Sequence, residues 1–219
     1  MNTYFITIGI IAIIIIITII FYKFYYIPKT SNTNKYAITL LTGPTTFKES
    51  FQQIIQIASL ISSRQTLYIP YLEYGLTFSW EMYVPVISGN SQWQSSNNQT
   101  KPILSINDSP QIGYQPHKNI LSIVVKYRNS PTFSKFAELN YNQVKCQTWV
   151  KYTVVISSNS IILYENANIV KVKALDSVPI LYDIGNQIKL GQLNNNCLSK
   201  FMNFTMYPYP LSYSEVKSI

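Results

Sequence analysis

From Tyr4 to Tyr22 the chain reads YFITIGIIAIIIIITIIFY, without a charge and with Gly9 as its one helix breaker. At about 1.5 Å per residue such a helix spans about 28 Å, close to the ~30 Å hydrocarbon core of a bilayer. In lipid an unpaired backbone group costs several kcal/mol, so a lone apolar segment closes its own hydrogen bonds as a helix. Tyr22, Tyr25 and Tyr26 follow as an aromatic belt, with Lys23 and Lys29 beyond them. A cleaved signal peptide would need a basic leader and small residues at a cleavage site. Here only Met1, Asn2 and Thr3 precede the apolar run, and FYKFYYIP follows it. The pattern predicts an uncleaved transmembrane anchor over residues 1–26.

Residues 27–36 (IPKTSNTNKY) read as a polar linker, and the pattern after it changes period. Leu76–Val84 sets Leu76, Phe78, Trp80 and Met82 or Tyr83 against Thr77, Ser79 and Glu81, the period of two of a half-buried strand. Pro102–Ile106, Gln111–Tyr114 and Asn119–Tyr127 continue it. Trp149–Ile156, a Ser-Ser-Asn-Ser cluster, Ile161–Glu165, a second turn at 166–168 and Ile169–Lys173 predict a three-strand meander. Gln187–Gly191 and Phe201–Met206 supply the last strands. Many short strands with few helices between them predict an all-β domain over residues 37–219, an antiparallel β-sandwich or jelly roll. Apolar residues between Phe47 and Ile61 fall near helical spacing, so Lys48–Ser62 is open to a helix, a strand or a loop. Ser212-x-x-Glu215 reads as a capping box for a terminal turn.

Composition narrows the classes. With 47% hydrophobic, 14% aromatic and 12% charged residues, the chain is neither a disordered tail nor a coiled coil. Two cysteines exclude a disulfide scaffold. The net charge of +8 is scattered, and pairs such as Lys126/Arg128 and Lys171/Lys173 each share one strand face. Solvated strand faces explain it, with attraction to anionic headgroups or an acidic partner second; no patch or module suggests nucleic acid. Lys23, Lys29 and Lys35 all follow the apolar run, which predicts the domain on the cytosolic face. Sequons at Asn98, Asn107 and Asn203 argue weakly for the other side, because they arise by chance in an Asn-rich chain. On the cytosolic side Cys146 and Cys197 are expected as free, mostly buried thiols, unless late oxidation pairs them.

The order of motifs resembles the laminin-G-like branch of the concanavalin A-like lectin/glucanase superfamily. The residues that carry the resemblance are Thr77-Phe78-Ser79-Trp80, the strand opening at Trp149, Leu163-Tyr164-Glu165-Asn166-Ala167, Lys189-Leu190-Gly191 and Leu211-Ser212-Tyr213-Ser214-Glu215-Val216. They cover about the last two-thirds of the chain. Ala167 departs from the glycine usual in that hairpin, so the turn differs or uses Asn166 or Asn168 at positive φ. With the anchor and Ser109-Pro110-Gln111-Ile112, the chain also looks like the membrane-anchored members encoded by large DNA viruses. The resemblance implies a concanavalin A-like sandwich with Trp80, Trp149, Tyr164 and Gly191 as structural positions. It further implies a non-enzymatic role in binding, linking a viral or intracellular membrane to a protein layer such as a capsid; the alternative is a glycan-binding attachment protein.

The candidate chemistry is sparse. A glucanase needs clustered carboxylates, but no two of the nine acids lie within four residues of each other. His117 lacks a second histidine for zinc and reads as a turn residue. Ca²⁺ sites of laminin-G-like folds would fall at Asn107-Asp108 or Asn194-Asn195-Asn196; with so little carboxylate these read rather as turns. Trp80 and Trp149 lie inside predicted strands and are expected in the core. Trp93 sits in the polar loop Ser88–Thr100, where it either meets a sugar or protein partner or folds back over a sandwich edge.

Overall fold

The computed structural model describes residues 37–46, 53–56, 75–85, 101–107, 109–116, 118–128, 133–181, 187–191 and 199–219. The expected anchor (1–26) and linker (27–36) lie outside them. Among the described residues no helix is long and apolar enough to cross a membrane.

Thirteen strands and one short helix are described. They are β1 Ile38–Leu41, β2 Thr45–Thr46, β3 Gln53–Gln56, β4 Gly75–Tyr83, β5 Lys101–Ile106, β6 Gln111–Gln115, β7 Ile120–Arg128, β8 Ser134–Tyr141, β9 Trp149–Ser157, β10 Ser160–Glu165, β11 Asn168–Ala174, β12 Gln187–Leu190, β13 Lys200–Tyr207 and α1 Tyr213–Ser218. They form two antiparallel sheets. The seven-stranded one runs β1-β13-β4-β9-β10-β11 with β2 also on β13; the six-stranded one runs β3-β12-β5-β6-β7-β8.

Register lines up the inner faces. Leu190, Leu104, Ile112, Ile123 and Leu139 are successive partners across five strands of the six-stranded sheet. Opposite them, Trp80 pairs with Tyr152 and Tyr152 with Glu165, while Phe78, Val154 and Leu163 make the adjacent row. The apolar members of these rows belong to one buried cluster between the sheets. Trp80 stacks on Phe204 at 5.2 Å and 6°, and burial of rings this large is a dominant stabilising contribution. Gly75 opens β4 at φ 135°, where a side chain would strike the Ile156 carbonyl.

The seven-stranded sheet is buried on its outer face as well, over half its length. Thr77, Ser79 and Thr153 point outward yet are buried. Thr77 Oγ1 donates to the Tyr209 carbonyl at 3.0 Å and accepts from the Leu211 N–H at 2.9 Å, and Ser79 and Thr153 share a hydrogen bond of 3.1 Å. The C-terminal segment lies over them, and Leu211 and Val216 build a second small core on Val155, Tyr164 and Tyr207. The expected capping box is present: Ser212 Oγ accepts from the Glu215 N–H, and the Glu215 carboxylate accepts from the Ser212 N–H at 2.7 Å.

The open question over Lys48–Ser62 is settled for four residues. Gln53–Gln56 is a strand paired with β12, its Ile55 packed on the core and Ile54 exposed. The hairpin without glycine turns at Asn166 and Ala167, both at positive φ (47° and 64°) between the paired Glu165 and Asn168.

Candidate functional site

The expected site residues part company in the structure. Trp93 and Asp108 lie outside the described residues, as do His117, Cys197 and Asn194 to Asn196. Asn107 follows β5 in a turn at φ 47° and is exposed. Among the described residues no group of three His, Cys, Asp or Glu is placed to hold a metal. Trp80 is core, as expected; its indole N–H is buried without a hydrogen-bond partner among the described residues. Gly191 is buried at φ 69° and its N–H donates to the Ile103 carbonyl at 2.8 Å. Tyr164 is buried too, but in the second core, where its ring stacks on Tyr213.

Trp149 is not core. It is 37% exposed, because β9 turns Val150, Tyr152, Val154 and Ile156 inward and leaves Trp149 in the outward register with Lys151. Cys146, expected as a buried thiol, is exposed as well, three residues before Trp149 in the segment that leads into β9.

Trp149 belongs instead to the uncovered half of the outer face. There the cross-strand pair Tyr83–Trp149 presents two tilted rings, centroids 5.7 Å apart at 46°. One row further, Glu81 faces Lys151 across β4 and β9. Asn203 sits at a bulge of β13 with φ 53° and donates through Nδ2 to Glu81 Oε1 at 2.7 Å. Lys151 Nζ donates to the main-chain oxygen of Ile219. Burial pushes the Lys151 ammonium below its ordinary value, and the Glu81 carboxylate opposite works against that fall. Two half-open rings beside a carboxylate, an amide and an ammonium can stack on a flat apolar surface and hydrogen-bond its polar rim. They form no nucleophile–base arrangement and no carboxylate pair.

A second polar cluster lies inside the sandwich. Glu165 is buried on the inner face at the end of β10. Its Oε2 accepts from Tyr141 Oη at 3.0 Å and from Tyr152 Oη at 3.3 Å, and Lys145 Nζ lies 2.6 Å from Oε1. Tyr141 comes from β8 and Tyr152 from β9, so one carboxylate ties the two sheets together. Burial first, then the hydrogen bond and the charge of Glu165, push the Tyr141 phenol up to about 12. Burial and the same carboxylate raise Tyr152 as well. With one acid and donors that stay protonated, the cluster is a structural clamp.

No family model matches the chain, and no curated protein does. Solved structures do. The binding domain of Paraclostridial Mosquitocidal Protein 1 aligns with 84% of this chain at a TM-score of 0.59 and 16% identity. The botulinum neurotoxin serotype G binding domain aligns with 83% at 0.58 and 15%, and the receptor binding domain of botulinum neurotoxin C/D mosaic serotype with 85% at 0.57 and 13%. The chain spans less than half of these structures, covering 45%, 44% and 46% of them respectively. At such identities the likeness is one of fold: the chain is a β-sandwich of the kind found in these toxin binding domains.

Proposed function

We propose that this chain is a membrane-tethered, non-catalytic binding domain, a concanavalin A-like sandwich of the membrane-anchored type, which joins a membrane to a protein layer such as the capsid of a large DNA virus. The residues 1–26 supply the tether, the domain lies on the cytosolic face, and the uncovered half of the seven-stranded sheet supplies recognition. The observation that carries the reading is the division of that outer face. The C-terminal segment closes one half over Thr77 and Thr153, while the other half keeps Tyr83 and Trp149 open beside Glu81, Lys151 and Asn203. Aromatic anchors within a polar rim are the usual make-up of a protein-recognition patch. The neighbours in fold are themselves binding and receptor binding domains.

The test is a photo-crosslinking residue at Trp149 in the native membrane. A discrete protein adduct that disappears with Tyr83→Ala supports the reading; no protein adduct in the intact membrane sinks it. Protease added to sealed microsomes tests the orientation, because a cytosolic domain is digested.

The second reading, a glycan-binding domain, is favoured by the same rings, since a tilted aromatic pair next to an Asn–Glu hydrogen bond also fits a pyranose. A glycan array with a signal lost in Trp149→Ala would support it. Trp93 enters the same assay as the other candidate ring. The Ca²⁺ reading of Asn107 and Asp108 is tested by whether chelation alters that signal.

A further inference from the structure

Three of the nine large hydrophobic residues exposed among the described residues gather at one end of the six-stranded sheet: Phe136, Val178 and Ile180, at 58%, 53% and 38% exposure. Register explains the gathering. β8 pairs with β7 so that Lys126 faces Phe136 and Arg128 faces Ser134. On the other side of β7, a bridge joins Tyr127 to Pro179, the Arg128 N–H donates to the Val178 carbonyl, and the Ile180 N–H donates to the Lys126 carbonyl at 2.7 Å. Tyr127 and Pro179 therefore point inward and are buried. Lys126, Arg128, Phe136, Val178 and Ile180 share the outer face of a three-stranded ribbon, since side chains alternate along a strand. The Lys126 ammonium lies 5.9 Å from the Phe136 ring centroid. The nearest acid on that face along β8 is Glu138, which accepts a hydrogen bond from Ser122 at 3.1 Å.

We propose that this ribbon face docks on an anionic bilayer surface. One ring and two branched aliphatics interspersed with cations fit that occupant: the apolar groups enter the headgroup–acyl boundary while the ammonium and guanidinium remain among lipid phosphates and carboxylates. The patch and the Tyr83–Trp149 surface lie on different sheets, so the domain carries one face for lipid and another for its partner. The inference rests on the membrane-tethered reading only for local concentration, and carbonate extraction of the chain tests that tether separately.

The experiment uses the full chain with C146S and C197S, carrying an environment-sensitive fluorophore at S134C, beside the patch, or at V172C, on the other sheet. Each is reconstituted in vesicles of phosphatidylcholine, or phosphatidylcholine with phosphatidylserine, containing lipid-borne quencher. Quenching of the S134C label is expected to exceed that of the V172C label only when phosphatidylserine is present, and to fall with salt. Each cation near such a surface is worth about fivefold in occupancy, so K126Q/R128Q lowers the docked-to-free ratio by about thirtyfold. Equal quenching at the two positions, or S134C quenching unaffected by K126Q/R128Q, overturns the proposal and leaves an acidic protein as the occupant of the patch.

Discussion

Glu165 offers the sharpest test of how the sandwich is held together. Replacing it with Ala removes the acceptor for two phenols that reach it at 3.0 and 3.3 Å. Tyr152 is fully buried and Tyr141 is 6% exposed, so neither hydroxyl gains water easily. An orphaned buried donor costs about 1–3 kcal/mol. Two of them, partly offset by no longer desolvating a carboxylate, give about 3 kcal/mol. Lys145 is a different case. Its side chain is 58% exposed, so Lys145→Ala loses a largely screened ion pair worth less than about 1 kcal/mol. Glu165→Gln keeps one acceptor oxygen and falls between, at about 1–2 kcal/mol. Urea unfolding of a fragment starting at residue 37, followed by tryptophan fluorescence, measures the series; Trp80 reports directly, its ring 6.0 Å from Tyr152. With a slope of about 2 kcal/mol/M, the midpoint should move by about 1.5 M for Glu165→Ala and by less than about 0.5 M for Lys145→Ala. If the lysine variant costs as much as the glutamate variant, the clamp is ionic and the reasoning from buried phenols is wrong.

The same cluster sets the alkaline limit. The Tyr141 phenol is raised in the folded state to about 12 from an ordinary value of 10.0, so the fold holds its proton more tightly than the unfolded chain does. That stabilisation is complete below pH 10 and is lost as pH rises through about 12, a fall of about 2–3 kcal/mol; Tyr141→Phe should flatten this part of the stability–pH curve in urea titrations. At the hairpin, Ala167→Gly removes a side chain from φ 64°, and relief of the left-handed strain less the added chain entropy predicts a gain of about 0.5–1 kcal/mol, visible as a higher urea midpoint. Trp80→Ala should cost about 3–5 kcal/mol, whereas Trp149→Ala should cost less than about 1 kcal/mol and act on binding. Equal losses in the two tryptophan variants would return Trp149 to the core.

Strands were legible where period and turn agreed. β9, β10 and β11 carry β-branched runs separated by Ser/Asn turns, and they fold where the sequence places them. β8 escapes that reading because Lys135, Ala137, Glu138 and Asn140 are poor strand formers and the exposed Phe136 points away from the buried Ala137, Leu139 and Tyr141. Its state is decided by pairing with β7, which no local pattern reports. β3 was ambiguous for the related reason that two adjacent isoleucines fit a helix as well as a strand; pairing with β12 resolves it.

The two surfaces follow from parity more than from residue type. Trp149 shares the parity of Lys151, and Tyr83 that of Glu81, so both rings had to stand outside once Tyr152 and Trp80 stood inside. Glu165 shares the parity of Ile161 and Leu163, which marks it as an acid committed to the interior. Parity misreads burial at the exposed edge, where Lys171 and Lys173 pair with the buried Leu163 and Ile161, and where a third layer intervenes. Thr77 and Thr153 carry the polarity of an exposed face and are buried because Leu211 and Val216 return over them, a contact more than 130 residues distant in sequence between Thr77 and Leu211. The C-terminal segment thereby decides which part of the outer face is available: it hides one row of the sheet in a small core and leaves the aromatic row open. The Lys151 ammonium, in the same row as Glu81, reaches the main-chain oxygen of Ile219 just beyond α1 and so ties this row to the C-terminal segment.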